Sequence, residues 1–467
     1  MALKTITISS KRLQENDFFR LDVKYYFVNV LFDGLCRNKG YTVKNLDELK
    51  IKISSGSYID NYVSSDEGIK FLRVANMKPY SIDEQENSLV FVKKDVNDKI
   101  KVKENEIVLG RTQATIEKLG ISSIIDKENV GSAISQHVSK LTINTELISP
   151  HYLISYLNSK FFKAQTALAT HGDTRVELTH SQLKQVRVFI PSDKILGDIE
   201  EKTKKIINYN RESILLIKKS QNLLKEKLKL NTFKPNTNKF FSSKLSTMSN
   251  FEIWNGRSYL PKYSETEEYI KNNFKREKLG DITNIKKGAE AGSNNYNTDL
   301  FKDKRDFAFI RTSDIINNEI DMYPDYYVSE TIAKSSKTDL ISGDIVFSKD
   351  GKIGEIAMAS SYDRAMIASG FERIRLKEKK SKITPEYLFT VLSISETGFY
   401  PAIRRTIIAS TIPHLREERL KEINIPLIDD DSIKEITKYI KTAYELKDQK
   451  KKLILEVRKE IDGFFDL

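Results

Sequence analysis

The sequence predicts an α+β protein: two tandem, pseudo-repeated α/β domains and two long helices that pair as an antiparallel coiled coil. Three observations predict it. A seven-residue pattern occurs twice, as Phe71-Leu72-Arg73-Val74-Ala75-Asn76-Met77 and as Phe309-Ile310-Arg311-Thr312-Ser313-Asp314-Ile315, 238 residues apart. Further matches at offsets of 234–238 residues run through almost the whole chain. Each half then closes on a stretch of helical periodicity without proline.

In chain order, residues 1–19 are a lead-in. Arg20-Leu21-Asp22-Val23-Lys24-Tyr25-Tyr26 follows and is matched by Arg257-Ser258-Tyr259-Leu260-Pro261-Lys262-Tyr263. Short apolar runs such as Glu106-Ile107-Val108-Leu109 and Asp344-Ile345-Val346-Phe347 are bounded by turn residues and predict strands. Ser149-Pro150 and Thr384-Pro385 are N-cap and N1 pairs, so each opens a helix.

From Asp193 onward, Ile199, Ile206, Ile217 and Leu224 repeat at a spacing near 3.5 residues between Lys and Glu. Ile436, Ile440, Val457 and Ile461 do the same near the end. A helix of this size is about 50 Å long and lacks a partner in its own half, so the two are expected to pair with each other. The expected organisation is a first domain over 1–193, a long helix over 194–230, a polar linker over 231–250, a second domain over 251–428 and a second long helix over 429–467.

The chain has 467 residues, 39% hydrophobic and 30% charged, which fits a folded protein with a real core. Its net charge of +12 points to an anionic partner, nucleic acid first. One cysteine, Cys36, builds neither a disulfide nor a cysteine zinc site, so a reducing cytoplasm is expected. No leader or membrane span is read from the sequence, and no membrane partner is expected.

A catalytic constellation is not found. Asn76-Met77-Lys78-Pro79-Tyr80 resembles a base-gripping methyltransferase loop, but it has one residue too many and no glycine-rich turn beside it. Gly351-Lys352 lacks the remaining residues of a phosphate loop. The five histidines lack ligand spacing. Asp350 and Glu355 are not followed by the Glu-x-Lys of a metal nuclease.

What stands out instead is polar loops after equivalent strands. In the first half these are Gly110-Arg111-Thr112-Gln113-Ala114-Thr115 and, later, Thr170-His171-Gly172-Asp173-Thr174-Arg175. In the second they are Ser348-Lys349-Asp350-Gly351-Lys352 and Arg404-Arg405-Thr406. Arg, Lys, Gln and Asp suit the donor and acceptor edges of bases in the major groove. An ordinary solvated charge is the plain alternative for each. The candidate DNA-binding set is Arg73, Asn76, Arg111, Thr112, Gln113, Arg175, Arg311, Ser313, Lys349, Asp350, Lys352, Arg404 and Arg405. Arg73 and Arg311 are read as either anchoring a loop or touching a phosphate.

Together these stretches resemble the specificity (S) subunit of type I restriction–modification systems. The segments at 20–26 and 257–263, the paired pattern, the signature Asp344–Gly354 and the long helices all carry the likeness, which spans nearly the full chain. The first half departs at Arg111–Gly120, which is longer and lacks Gly-x-Ile-Gly. The resemblance implies two target-recognition domains that each read one half of a bipartite DNA site, and helices that act as a ruler. It implies docking of two methyltransferase subunits, which restriction subunits can join. S-adenosylmethionine, ATP and Mg would belong to those partners, with no cofactor or metal bound by this chain and no catalysis of its own. The alternatives are the specificity subunit of another restriction or phage-defence methyltransferase system, and a stand-alone DNA-modifying enzyme.

Overall fold

The computed structural model describes residues 42–85, 88–113, 118–169, 176–238, 240–251, 253–297, 306–338, 340–377, 382–409 and 412–464. Arg20–Tyr26, Cys36 and Arg175 lie outside them. The chain forms two compact units, 1–208 with 452–467, and 209–451.

The first unit holds a four-stranded antiparallel sheet in the order Lys52–Ser55, Val138–Thr142, Ile107–Gly110, Ser122–Ile124. Beside it, Gly68–Leu72 pairs in parallel with Ala133–Ile134 and antiparallel with Phe91–Lys93. Thr42–Asn45 pairs with Arg187–Ile190. The apolar positions of these strands make the core, with Phe71, Leu72, Met77, Val108, Ile134 and Val138 all buried.

The second unit repeats this topology. Its four-stranded sheet runs Thr283–Lys287, Phe371–Leu376, Ile345–Ser348, Ile356–Met358. Phe307–Ile310 pairs in parallel with Ala365–Ile367 and antiparallel with Tyr327–Val328. Lys275–Lys278 pairs with Asn424–Leu427. Ile310, Ile315, Val346, Ile367 and Phe371 fill its sheet core.

The sequence repeat is therefore a structural one, and its details recur. Gly56 and Gly288 each pass under a neighbouring strand. A Cβ there would lie 1.9 Å from the Ile134 carbonyl oxygen and 2.0 Å from that of Ala368. The Ser149 and Thr384 hydroxyls cap their helices, accepting from His151 N at 3.2 Å and Tyr387 N at 3.1 Å. In each of those helices a buried tyrosine hydroxyl donates to the closing strand: Tyr152 to Phe189 O at 2.5 Å, Tyr387 to Pro426 O at 2.8 Å.

The long helices span Asp193–Lys227 and Asp430–Gly463. Within the first unit, Lys202 of one ion-pairs with Glu460 of the other. Within the second, Lys450 Nζ donates to Asn210 Oδ1 at 3.0 Å and Lys219 lies over the Tyr439 ring at 5.5 Å. Numbers rise on one helix as they fall on the other, so this pairing is antiparallel. Ile199, Ile206, Ile217, Leu224, Ile436, Ile440, Val457 and Ile461 are all 0–3% exposed. These eight are the seam and not a surface open to a partner. Leu215 and Leu455, at 42% and 46% exposed, are the outward apolar residues of the helices.

The long helices also pack on the shorter helix that opens at Pro150 in one unit and at Pro385 in the other. Ser155 Oγ meets Thr203 Oγ1 at 2.6 Å in the first unit. In the second, Thr384 Oγ1 meets Thr437 Oγ1 at 2.8 Å and the Phe389 and Tyr444 rings stack edge to face. The contact-based units thus cut across both helices, whereas the expected organisation sets each helix apart from the domain before it. Each helix is divided between the units, and each part is core to the unit it lies in.

Candidate nucleic-acid interface

The paired pattern folds into a strand, a single 3-10 turn and a tight hairpin in both units. The turn is set by its third residue. Asn76 Oδ1 accepts the Arg73 backbone N–H at 3.0 Å, and Asp314 Oδ2 accepts that of Arg311 at 2.8 Å. A short polar side chain at this position caps the turn from inside. Asn76 is wholly buried, and its amide donates to Ser88 O at 2.9 Å. It belongs to the frame and leaves the set of DNA-contacting candidates.

Both arginines make anchoring contacts. Arg73 Nη2 donates to Ser88 O at 3.2 Å. Arg311 Nη2 pairs with Asp325 at 2.6 Å, and its guanidinium stacks 4.3 Å over Tyr326. Ser313, beside the second turn, is exposed.

After the central strand of each sheet the chain crosses a second segment. In the first unit Thr112–Gln113 pairs with Val176–Glu177, and Leu178 N donates to Arg111 O at 2.8 Å. In the second, Asp350 bridges to His414, and Leu415 N donates to Lys349 O at 2.9 Å. These crossings occupy the same place, since Arg111 and Lys349 are 238 apart and Leu178 and Leu415 are 237 apart.

The frame is shared and the side chains on it are not. In the first crossing, Arg111 Nη2 pairs with Glu177 at 3.1 Å, its Nε donates to Gln136 O at 3.2 Å, and Thr112 Oγ1 meets His137 Nδ1 at 3.3 Å. Gln113 lies half-buried at its edge. In the second, Asp350 accepts from Lys349 Nζ at 3.1 Å and meets His414 Nδ1 at 2.8 Å. Lys349 is largely buried while Lys352 projects, its side chain 65% exposed. A Cβ on Gly370 would touch both Thr312 at 3.5 Å and Asp350 at 3.9 Å, so the paired pattern and the crossing form one surface.

Behind this surface Glu372 is buried. Burial pushes its carboxyl up to about 7; Lys349 opposes that, and the Glu417 and Asp350 charges add to it.

Arg404 ends the short helix Tyr400–Arg404 and Arg405 follows it, and both pair with the largely buried Glu267. Arg404 Nε also donates to Ser258 O at 3.2 Å, and Arg405 Nη1 to Pro401 O at 3.0 Å. Burial alone would raise the Glu267 pKa, yet it is held below its ordinary value by the two guanidiniums. The residue opposite Asp350 is His414, which the sequence reading missed. The signal was present, because the 237-residue offset carries Glu177 to His414.

Among the described residues, no group of three or more His, Cys, Asp or Glu could hold a metal ion. No described helix is long and apolar enough to cross a membrane.

Residues 271–459 match the family described as the type I restriction modification DNA specificity domain. No curated protein matches the chain. Among solved structures, the chain is similar to the type I restriction-modification S subunit from M. genitalium, at 13% identity and TM-score 0.36, over 92% of this chain and 96% of that one. It is also similar to the HsdS subunit from Thermoanaerobacter tengcongensis, at 13% identity and TM-score 0.29, over 92% and 97%. A type IIG restriction endonuclease, BpuSI, is similar at 10% identity and TM-score 0.27, over 46% and 35%.

Proposed function

We propose that this chain, with a type I restriction–modification DNA specificity domain matched at 271–459, is the DNA-reading subunit of such a system. Each unit reads one half of a bipartite, non-palindromic site. The observation that carries this reading is the duplicated crossing: the same backbone frame presents Arg111 and Gln113 in one unit and Asp350, Lys352 and His414 in the other. Equal frames with unequal side chains call for two half-sites of different sequence.

The two long helices set the spacer between the half-sites. Their outward surface, with Leu215 and Leu455, receives two methyltransferase subunits, and restriction subunits join that complex. The chain works in the cytoplasm on double-stranded DNA. S-adenosylmethionine, ATP and Mg act in the partner subunits, and this chain supplies position and sequence discrimination. The net charge of +12 supports phosphate contacts that bring affinity without specificity.

Mapping base methylation across the host genome tests the proposal. A two-part motif with one fixed spacer, lost on deletion of this chain, is expected. Methyl transfer to DNA by the purified chain alone would overturn it in favour of a stand-alone enzyme.

A further inference from the structure

Three lysines of the second long helix converge on one carboxylate inside the second unit. Glu319 is 7% exposed and opens the return strand of the hairpin formed by Ile315–Ile316 and Glu319–Ile320. Lys447 Nζ lies 3.2 Å from its Oε2, Lys450 Nζ 2.5 Å from the same atom, and Lys451 Nζ 3.6 Å from Oε1. The side chains of Lys447 and Lys451 are 0% and 1% exposed. Positions 447, 450 and 451 are neighbours on one helical face. Lysines are almost never this buried without partners that need them.

The same face grips the hairpin by its backbone. Lys447 Nζ donates to Asn317 O at 2.9 Å, and Tyr444 OH donates to Asn318 O at 2.6 Å. Asn317 and Asn318 both have positive φ, 48° and 60°, which turns their carbonyls toward the helix. The grip extends to the next turn, where Lys451 Nζ meets Asp363 at 2.6 Å and Asp448 accepts from Ser361 at 2.9 Å. Lys450 also reaches Asn210 of the first long helix at 3.0 Å. One hub thus ties both helices to the hairpin that follows the paired pattern.

The first copy has no such carboxylate. Ser81 stands 238 residues before Glu319, and Asn210, Ser213 and Ile214 stand 237 before the three lysines. The repeat therefore does not explain the hub.

A buried ion cluster contributes little net stability over an apolar core of the same shape. Its directional bonds do fix one orientation of the groups they join. We infer that Glu319 is a positioning residue: with Lys447 and Lys450 it locks the recognition surface of the second unit to the helices in a single orientation, and so sets how strictly the spacer is read. This rests on the reading of the chain as a bipartite DNA-specificity subunit.

The test uses the host strain and genome-wide methylation mapping. Two variants are compared with the unaltered strain: Glu319→Gln, and the triple change Glu319→Met/Lys447→Met/Lys450→Met, which keeps the volume and removes the directional bonds. The expected result is unchanged half-sites with relaxed spacing. Sites one base pair longer or shorter should rise from background to at least about a tenth of the main class, given the roughly 5–150-fold scale on which such couplings act. A single spacer kept at full stringency by a variant that melts like the unaltered chain would overturn the inference. So would loss of all modification by such a variant, or failure of both variants to fold, which would make Glu319 a folding residue only. Absence of any two-part motif in the unaltered strain would instead refute the functional reading itself.

Discussion

Exchanging the capping residues of the two turns separates frame from reader. Asn76 uses both ends of its amide: Oδ1 accepts from Arg73 N at 3.0 Å, and Nδ2 donates to Ser88 O at 2.9 Å. An aspartate there keeps the first bond and sets a carboxylate oxygen against the Ser88 carbonyl, in a site with no exposure. Losing a buried bond and adding buried charge costs several kcal/mol in the worst case. The Arg73 guanidinium, which also donates to Ser88 O at 3.2 Å, offsets part of this, leaving about 2–3 kcal/mol. Asp314 differs. Its Oδ2 accepts from Arg311 N at 2.8 Å and its Oδ1 from the Ser313 hydroxyl at 3.0 Å. Asparagine can accept the first bond and donate to the second partner, so Asp314→Asn costs about 1 kcal/mol, the charge-assisted part. Calorimetry on the full chain is the assay, since two units can melt separately. Asn76→Asp should lower one transition by about 5–10 °C and Asp314→Asn the other by about 2–4 °C. An Asn76→Asp chain that melts like the unaltered one would refute the capping argument.

A heptad inserted after residue 208 and a matching one after residue 451 keeps the helix seam in phase to within about 20°. It lengthens each helix by about 10 Å, on the order of three base pairs, so the methylated spacer should lengthen while both half-sites stay; an unchanged spacer would defeat the ruler. Three base pairs also turn the duplex by about 100°, so weaker modification is expected alongside. Glu372, with its carboxyl raised from an ordinary 4.5 to about 7, resists ionisation in the folded chain. Stability from this group therefore falls as pH rises from about 4.5 to about 7, and Glu372→Gln should recover up to about 3 kcal/mol at pH 8 and almost nothing at pH 4. Equal gains in melts at both values would contradict this. Lys352→Ala should leave melting within about 0.5 kcal/mol, because the side chain is 65% exposed with one loose partner at 3.9 Å. In the assembled complex it should weaken binding to all duplexes and reduce the salt slope by about 0.9; a change confined to one base position would make it a base reader.

The repeat, the helix extents and the caps at Ser149 and Thr384 were legible because each depends on neighbours in sequence. The candidate interface was legible in part. Arg111 and Lys349 fall where a constant offset puts them. Arg404 and Arg405 were singled out by residue type alone, and the 237-residue offset carries Arg175 to Ile412 instead. Asn76 was polar in a turn, and polarity alone does not tell an outward side chain from an inward cap. The Glu319 hub was illegible for another reason. Lysines spaced along a helix read as a solvated face, and only the hairpin that brings Glu319 against them reverses that reading.

The division of the chain also bears on synthesis. The second unit is one uninterrupted stretch, 209–451, and everything it needs has emerged once residue 451 has cleared the ribosome. The first unit is begun earlier and finished later. Its share of the helix seam needs Val457 and Ile461, and its Lys202 pairs with Glu460. Until those residues are made, this unit's part of the helix pair is incomplete. The half of the molecule translated first is therefore the last able to complete its fold, and a nascent chain stalled past residue 451 would carry a finished second unit beside an open first one.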